Sequence, residues 1–274
     1  MEKPTGTEAA PPSAAAPAVT TGRAAGTGAP EQPVPASASA AKPSSSAAEP
    51  EAHPPRRRLL LWLMLALTFS TGIVDAVGFL GLERVFIANM TGNVVILGMA
   101  AVGAEDLPVL GPAVALVAFG SGAVAAGAIL RGTAGAWTAR ITWLLAVAAA
   151  VTAAVGAALL AFPTPEEAGL ASVTAALAGV MGLQAAAARH LAVKDVTTVV
   201  VTSTFTGLAA DSRLAGGRGA GAGRRAGAIV LMFAGAAVGA LLLRHHPGTG
   251  LLAAAGICLG VALAGQAGNR RRRA

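Results

Sequence analysis

Long apolar runs separated by short polar breaks dominate the chain from Leu59 to Gln266. Six stretches, 59–80, 108–130, 141–162, 168–188, 226–243 and 249–266, are long enough or nearly so to cross a hydrocarbon core of ~30 Å as helices. Two further stretches, 86–104 and 196–210, are apolar but interrupted. The first opens on Asn89-Met90-Thr91-Gly92-Asn93 and is clean only over 94–104. The second carries Thr197, Thr198, Thr202, Ser203, Thr204 and Thr206. Apolar runs of about 10–14 residues make re-entrant or interfacial segments more readily than full spans. The pattern predicts an all-α integral membrane protein of six transmembrane helices plus two interrupted or re-entrant segments.

The placement of basic residues decides between topologies, because cytoplasmic loops collect Lys and Arg. Take Arg56–Arg58 as inside. If all eight stretches cross, Arg213, Arg218, Arg224 and Arg225 fall inside. Arg84, Arg131, Arg140, Arg189, Lys194 and Arg244 then fall outside, which inverts the rule. If 86–104 and 196–210 dip in and return, only Arg84 and Arg244 fall outside. Both termini are then cytoplasmic. A seven-span arrangement would place one arginine run outside and ranks lower.

Composition agrees with the membrane reading. The 274 residues are 54% hydrophobic and 12% charged, with a mean hydropathy of +0.65. A soluble domain carries about 25% charged residues. The net charge of +7 belongs to the runs Arg56–Arg58 and Arg270–Arg273, without which basic and acidic residues balance at thirteen each. Basic ends beside apolar segments suit a membrane surface. A nucleic-acid face would interleave aromatics, and these are 4% with no Tyr. The expected partners are therefore the lipid bilayer and an unidentified small solute, with no nucleic acid. Residues 1–55 are Ala-, Pro- and Ser-rich and read as a disordered cytoplasmic tail. Residues 56–274 form the polytopic domain. Cys258 is alone in an apolar run and reads as a small buried side chain.

Each half of the domain reads span, interrupted segment, span, span, and the two halves enter the membrane in opposite directions. Such an inverted repeat is common in secondary transporters. If it holds, segments 86–104 and 196–210 meet near the centre. Gly235-xxx-Gly239 and Gly256-xxx-Gly260 offer close-approach faces for helix packing or for a homo-oligomer.

Two polar clusters stand out in this apolar setting. Asp75 lies about five residues, ~8 Å, from the outer end of its helix, with Thr71 one turn earlier. A carboxylate at that depth needs a partner or a water path. Arg84 offers itself as a salt partner, the structural alternative to a solute or proton path. Asn89 and Asn93 are four apart around Thr91-Gly92, and either line a cavity or cap a helix starting near Val94. The second cluster holds Gln184 and the hydroxyls Thr198, Thr202 and Thr206, spaced to share one helix face. Asp195 reads as the cap of that helix. The candidate substrate path is Thr71, Asp75, Asn89, Thr91, Asn93, Gln184, Thr198 and Thr202, with the first cluster facing the Thr-rich stretch.

Enzyme signatures are missing from the sequence: no HExxH, no GxSxG, and His245-His246 are adjacent and so cannot share a helix face. Neither a cofactor nor a metal site is expected. Three strings carry a resemblance: Thr71-Gly-Ile-Val-Asp75-Ala-Val, Phe86-Ile-Ala-Asn89-Met-Thr-Gly-Asn93-Val, and Gly182-Leu-Gln184 followed by Thr197-Thr-Val-Val-Val-Thr202. Over about 59–266 the chain resembles the YoaK-type family of bacterial inner-membrane proteins, a domain of unknown function. It departs from that pattern at Ala185-Ala186, where the family has an Asn. The resemblance implies an integral membrane location and no established activity.

These readings favour a transporter or channel for a small solute or ion over a non-transporting membrane module whose polar clusters only hold helices together. The topology makes a direct prediction. Single cysteines in loops 131–140 and 211–225, placed in a Cys258→Ala background, should react only with reagents that reach the cytoplasm. Labelling of residue 136 from outside would contradict six spans.

Overall fold

The computed structural model describes residues 54–104, 107–133, 135–162, 166–191, 201–217 and 221–271. Its regular elements among the described residues are all helical: α1 Pro54–Gly81, α2 Met90–Ala101, α3 Leu110–Leu130, α4 Ala139–Ala161, α5 Glu167–Leu191, α6 Val201–Ala210, a 3₁₀ turn Arg213–Ala215, α7 Ala222–Leu243 and α8 Pro247–Arg270. Six of these helices are long and apolar enough to cross a membrane: α1, α3, α4, α5, α7 and α8. The protein is an all-α, multi-pass membrane protein. The expected tail lies outside the described residues, apart from Pro54 and Pro55, which open α1.

Helices α4 and α8 start ahead of the apolar stretches 141–162 and 249–266 because caps set them. Thr138 accepts from the Ile141 amide to start α4. The His246 side chain accepts from the Gly248 amide and precedes Pro247, whose missing N–H costs nothing at a helix start. Helix α2 has 12 residues and α6 has 10, about 18 and 15 Å, too short for a ~30 Å core.

Packing registers fix the direction of each span. Gly235 and Gly239 of α7 sit on the Phe69 and Ile73 carbonyls of α1, so these helices run parallel. The contact of Gly122 with Gly179 and, further along both helices, that of Thr133 with His190 likewise set α3 parallel to α5. Helices α4 and α8 are antiparallel, since Cys258 reaches the Leu145 carbonyl while Gly248 meets Gly156. Gly111, in the first turn of α3, packs on Val85, four residues past α1. Helix α3 therefore starts at the end of the bundle where α1 stops, and α2 between them returns without crossing.

The inverted repeat is written into the same contacts. Exchange α1 with α5, α2 with α6, α3 with α7 and α4 with α8. The packed pair α1·α7 becomes α5·α3, α1·α8 becomes α5·α4, α2·α3 becomes α6·α7, and α4·α8 maps onto itself; all of these pairs are packed. The correspondence reaches single atoms. A Cβ on Gly72 would collide with the Met232 carbonyl oxygen and approach the Ala236 nitrogen to 2.9 Å. A Cβ on Gly182 would collide with the Phe119 oxygen and approach the Ala123 nitrogen to 3.0 Å. One shift of 110 residues carries α1 onto α5, and one of 113 carries α3 onto α7. By this register Asp75 falls on Ala185, and Gln184 falls on Val74.

The expected meeting of the two short segments is overturned. Among the described residues α2 packs on α3, α6 packs on α7, and the two short helices share no contact. Each short helix packs instead on the long helix that follows it. The α6 end is held by Arg225, which donates to the Gly207 carbonyl at 2.7 Å and pairs with Asp211 at 2.6 Å.

In lipid, close backbone approach replaces the hydrophobic effect as the glue between helices. Gly182→Leu should therefore destabilise by about 3 kcal/mol, the upper range for overpacking, because the obstruction is backbone. Gly256→Leu, with nothing within 4 Å of its Cβ position, should leave the melting temperature in detergent unchanged.

Candidate functional site

The chain leaves α1 at Gly81 and reverses through Glu83 and Arg84, both at φ 58°, a left-handed conformation that non-glycine residues rarely take. Leu82, Val85, Ile87 and Ala88 are buried around this turn. Their side chains pull the backbone into an apolar interior where every N–H needs an acceptor. Residues 86–89 are not helical and cannot supply one another.

Two side chains solve this. Asp75 Oδ1 accepts from the amides of Ile87 at 2.9 Å, Ala88 at 2.7 Å and Asn89 at 3.3 Å. Asn93 grips Phe86 from both sides, accepting from its N–H at 2.9 Å and donating to its carbonyl at 2.6 Å. Four successive amides are thereby satisfied. Asn89 caps α2 by accepting from the Gly92 amide. Gly92 leaves room for the Phe86 ring, whose Cδ2 would lie 2.5 Å from an added Cβ. The Asn-Met-Thr-Gly-Asn string is thus the device that folds a short segment back. Helix α2 starts at Met90, not near Val94, because Asn93 can work inside the first turn.

Asp75 is held by main-chain amides, whereas Arg84 is exposed. The carboxylate and the guanidinium are not partners in this structure. The second oxygen, Asp75 Oδ2, is buried and has no hydrogen-bond partner among the described residues. Asp75 lines a cleft of about 360 Å³ between α1, α7 and the 86–89 turn. Gly72, Ala76, Phe79, Leu80, Phe86 and Asn89 line one side, and Met232, Ala236 and Ala240 the other. The rings of Phe79 and Phe86 stack at 4.7 Å.

Asp75 and Asn89 are therefore the two candidates that share a cleft. Asn93 is fully buried behind it, in the clamp on Phe86. Thr91 is exposed and lies outside the lining. Thr71 and Gln184 belong to a separate buried line: Gln184 Nε2 donates to Thr71 Oγ1 at 3.3 Å, and Cys258 donates to Gln184 Oε1 at 3.4 Å. Cys258 is thus a hydrogen-bonding group as well as a packed one. Thr198 and Asp195 lie outside the described residues. Thr202 and Thr206 are exposed, and Thr204 is the buried hydroxyl of α6, so the every-fourth-residue face does not point inward. Because α6 docks on α7, the Thr-rich helix does not face the Asn cluster.

Sequence reasoning missed the lining from α7 and the stacked phenylalanines. Apolar residues in an apolar chain carry no signal of their own. The spacing Phe79–Phe86 across a predicted break was the available hint.

Residues 63–264 match the model of a family described as "Protein of unknown function (DUF1275)". The UPF0700 transmembrane protein YoaK of Bacillus subtilis (strain 168) is similar, at 32% identity over 151 residues. That match covers 54% of this chain and 65% of the relative, just under two thirds of its length. No solved structure matches.

The clamp gives a mutational test. Asn93→Ala strands a half-buried N–H and carbonyl of Phe86 at up to about 1–3 kcal/mol each, so a clear drop in melting temperature is expected. Thr91→Ala, at an exposed position, should stay within about 0.5 kcal/mol. Thermal unfolding of both variants in one detergent checks the contrast.

Proposed function

The chain belongs to the DUF1275 family of multi-pass membrane proteins of unknown function, and from that premise we propose that it moves a small solute or ion across the plasma membrane by way of the Asp75 cleft. The observation that supports this most is the division of labour within one carboxylate. Oδ1 is fully engaged in holding the turn, and Oδ2 of the same cleft-lining residue is buried with no partner among the described residues. A buried acceptor left bare costs free energy. A proton or a positively charged group on Oδ2 removes that cost without disturbing Oδ1. The inverted repeat and a short returning helix beside the cleft fit the architecture in which transporters bind solute.

In this reading both termini are cytoplasmic, and the cleft, near the end of α1, sits towards the external face. The excess of basic residues in the inner loops supports that orientation. The competing reading is a non-transporting module. It draws support from the first cluster, where Asn93, Asn89 and Asp75 Oδ1 are all consumed by local bonds.

Asp75→Asn separates the two. The variant keeps one acceptor oxygen for the three amides and turns Oδ2 into a neutral donor. Transport predicts that uptake into reconstituted vesicles, found by a screen of ions and small solutes, falls by about tenfold or more while the melting temperature holds. A module predicts no uptake by either form.

A further inference from the structure

The walls of the cleft narrow the chemistry of its occupant. A volume of about 360 Å³ suits a compact molecule, at the low end of small-ligand pockets. Asp75 and Asn89 supply its polar groups, and the remaining lining is Gly, Ala, Leu, Met and Phe. Among the described lining residues there is no Lys, Arg or His to neutralise the carboxylate. A hard metal ion takes about six to eight oxygen ligands. Here Asp75 Oδ1 already accepts three amides and Asn89 Oδ1 caps α2, which leaves one carboxylate oxygen. That donor set is too small to replace a hydration shell.

An ammonium group attached to an apolar body meets each of these constraints. Its N–H groups bond Oδ2 with a charge-assisted bond. Its alkyl part lies against Ala76, Leu80 and Met232. Phe79 and Phe86, stacked on one another, complete the lining. We propose that the cleft is a binding site for a small monovalent organic ammonium, supplied by a free amine or by the amine of a lipid headgroup. This rests on reading the cleft as a solute site and names the class of solute.

The test uses the full chain in vesicles of phosphatidylglycerol, a lipid without an ammonium group. The probes are n-butylammonium and its isosteres n-butanol and n-butyrate, followed by calorimetric titration and by solid-supported-membrane currents. Saturable binding of n-butylammonium is expected, weakened by about tenfold or more in Asp75→Asn, with neither isostere competing. Adding phosphatidylethanolamine identifies the source. Competition with n-butylammonium assigns the site to a lipid amine, and lack of competition assigns it to a free one; both support an ammonium site. Equal binding by Asp75→Asn, equal binding of the isosteres, or no saturable binding would overturn the inference. Asp75-dependent uptake of another solute without n-butylammonium binding sinks the ammonium site and leaves transport standing. Asp75-dependent binding with no current or uptake does the reverse.

Discussion

Three consecutive main-chain amides converge on one carboxylate oxygen inside a membrane protein, and the first half of the fold depends on that junction. A chain that turns back within an apolar interior exposes N–H groups that lipid cannot satisfy. Asp75 Oδ1 and the Asn93 carboxamide take up four of them in succession. With the turn closed, α2 can stop short of the far side and α3 can start beside the end of α1. The left-handed pair Glu83-Arg84 is the local strain this reversal requires.

Around that junction the bundle is held by backbone proximity. Glycines at matched positions in the two halves, Gly72 with Gly182 and Gly235 with Gly122, place carbonyls of neighbouring helices where side chains would otherwise stand. The two halves share this packing, but they do not share the carboxylate. Ala185 occupies the position equivalent to Asp75. The repeat is thus symmetric in its scaffold and asymmetric in its chemistry. That asymmetry leaves the buried carboxylate in one half alone, beside the cleft between α1 and α7.

The scaffold was legible in the sequence because membrane thickness and the basic-residue rule are strong constraints. Span count, the two short segments and the repeat all follow from them. The roles within Asn-Met-Thr-Gly-Asn were only half legible. Asn89 and Asn93 stand out as costly in lipid, yet spacing cannot tell a cavity wall from a clamp on the backbone of Phe86. Asp75 invited Arg84 as a partner because both are charged and close in sequence; main-chain amides, which every residue carries, are invisible to such reasoning. The Thr202–Thr206 face failed for a different reason. Helical periodicity shows which residues share a face but not which neighbour, if any, that face meets, and α6 buries Thr204 instead.

A carboxylate that anchors the turn through one oxygen and leaves the other available makes the central claim one about individual amides. Hydrogen–deuterium exchange resolved at residues 87–89 tests it most directly. Those amides should be strongly protected in the native chain and in Asp75→Asn, and should exchange rapidly in Asp75→Ala while α1 and α7 keep their protection. Undiminished protection of residues 87–89 in Asp75→Ala would contradict the account.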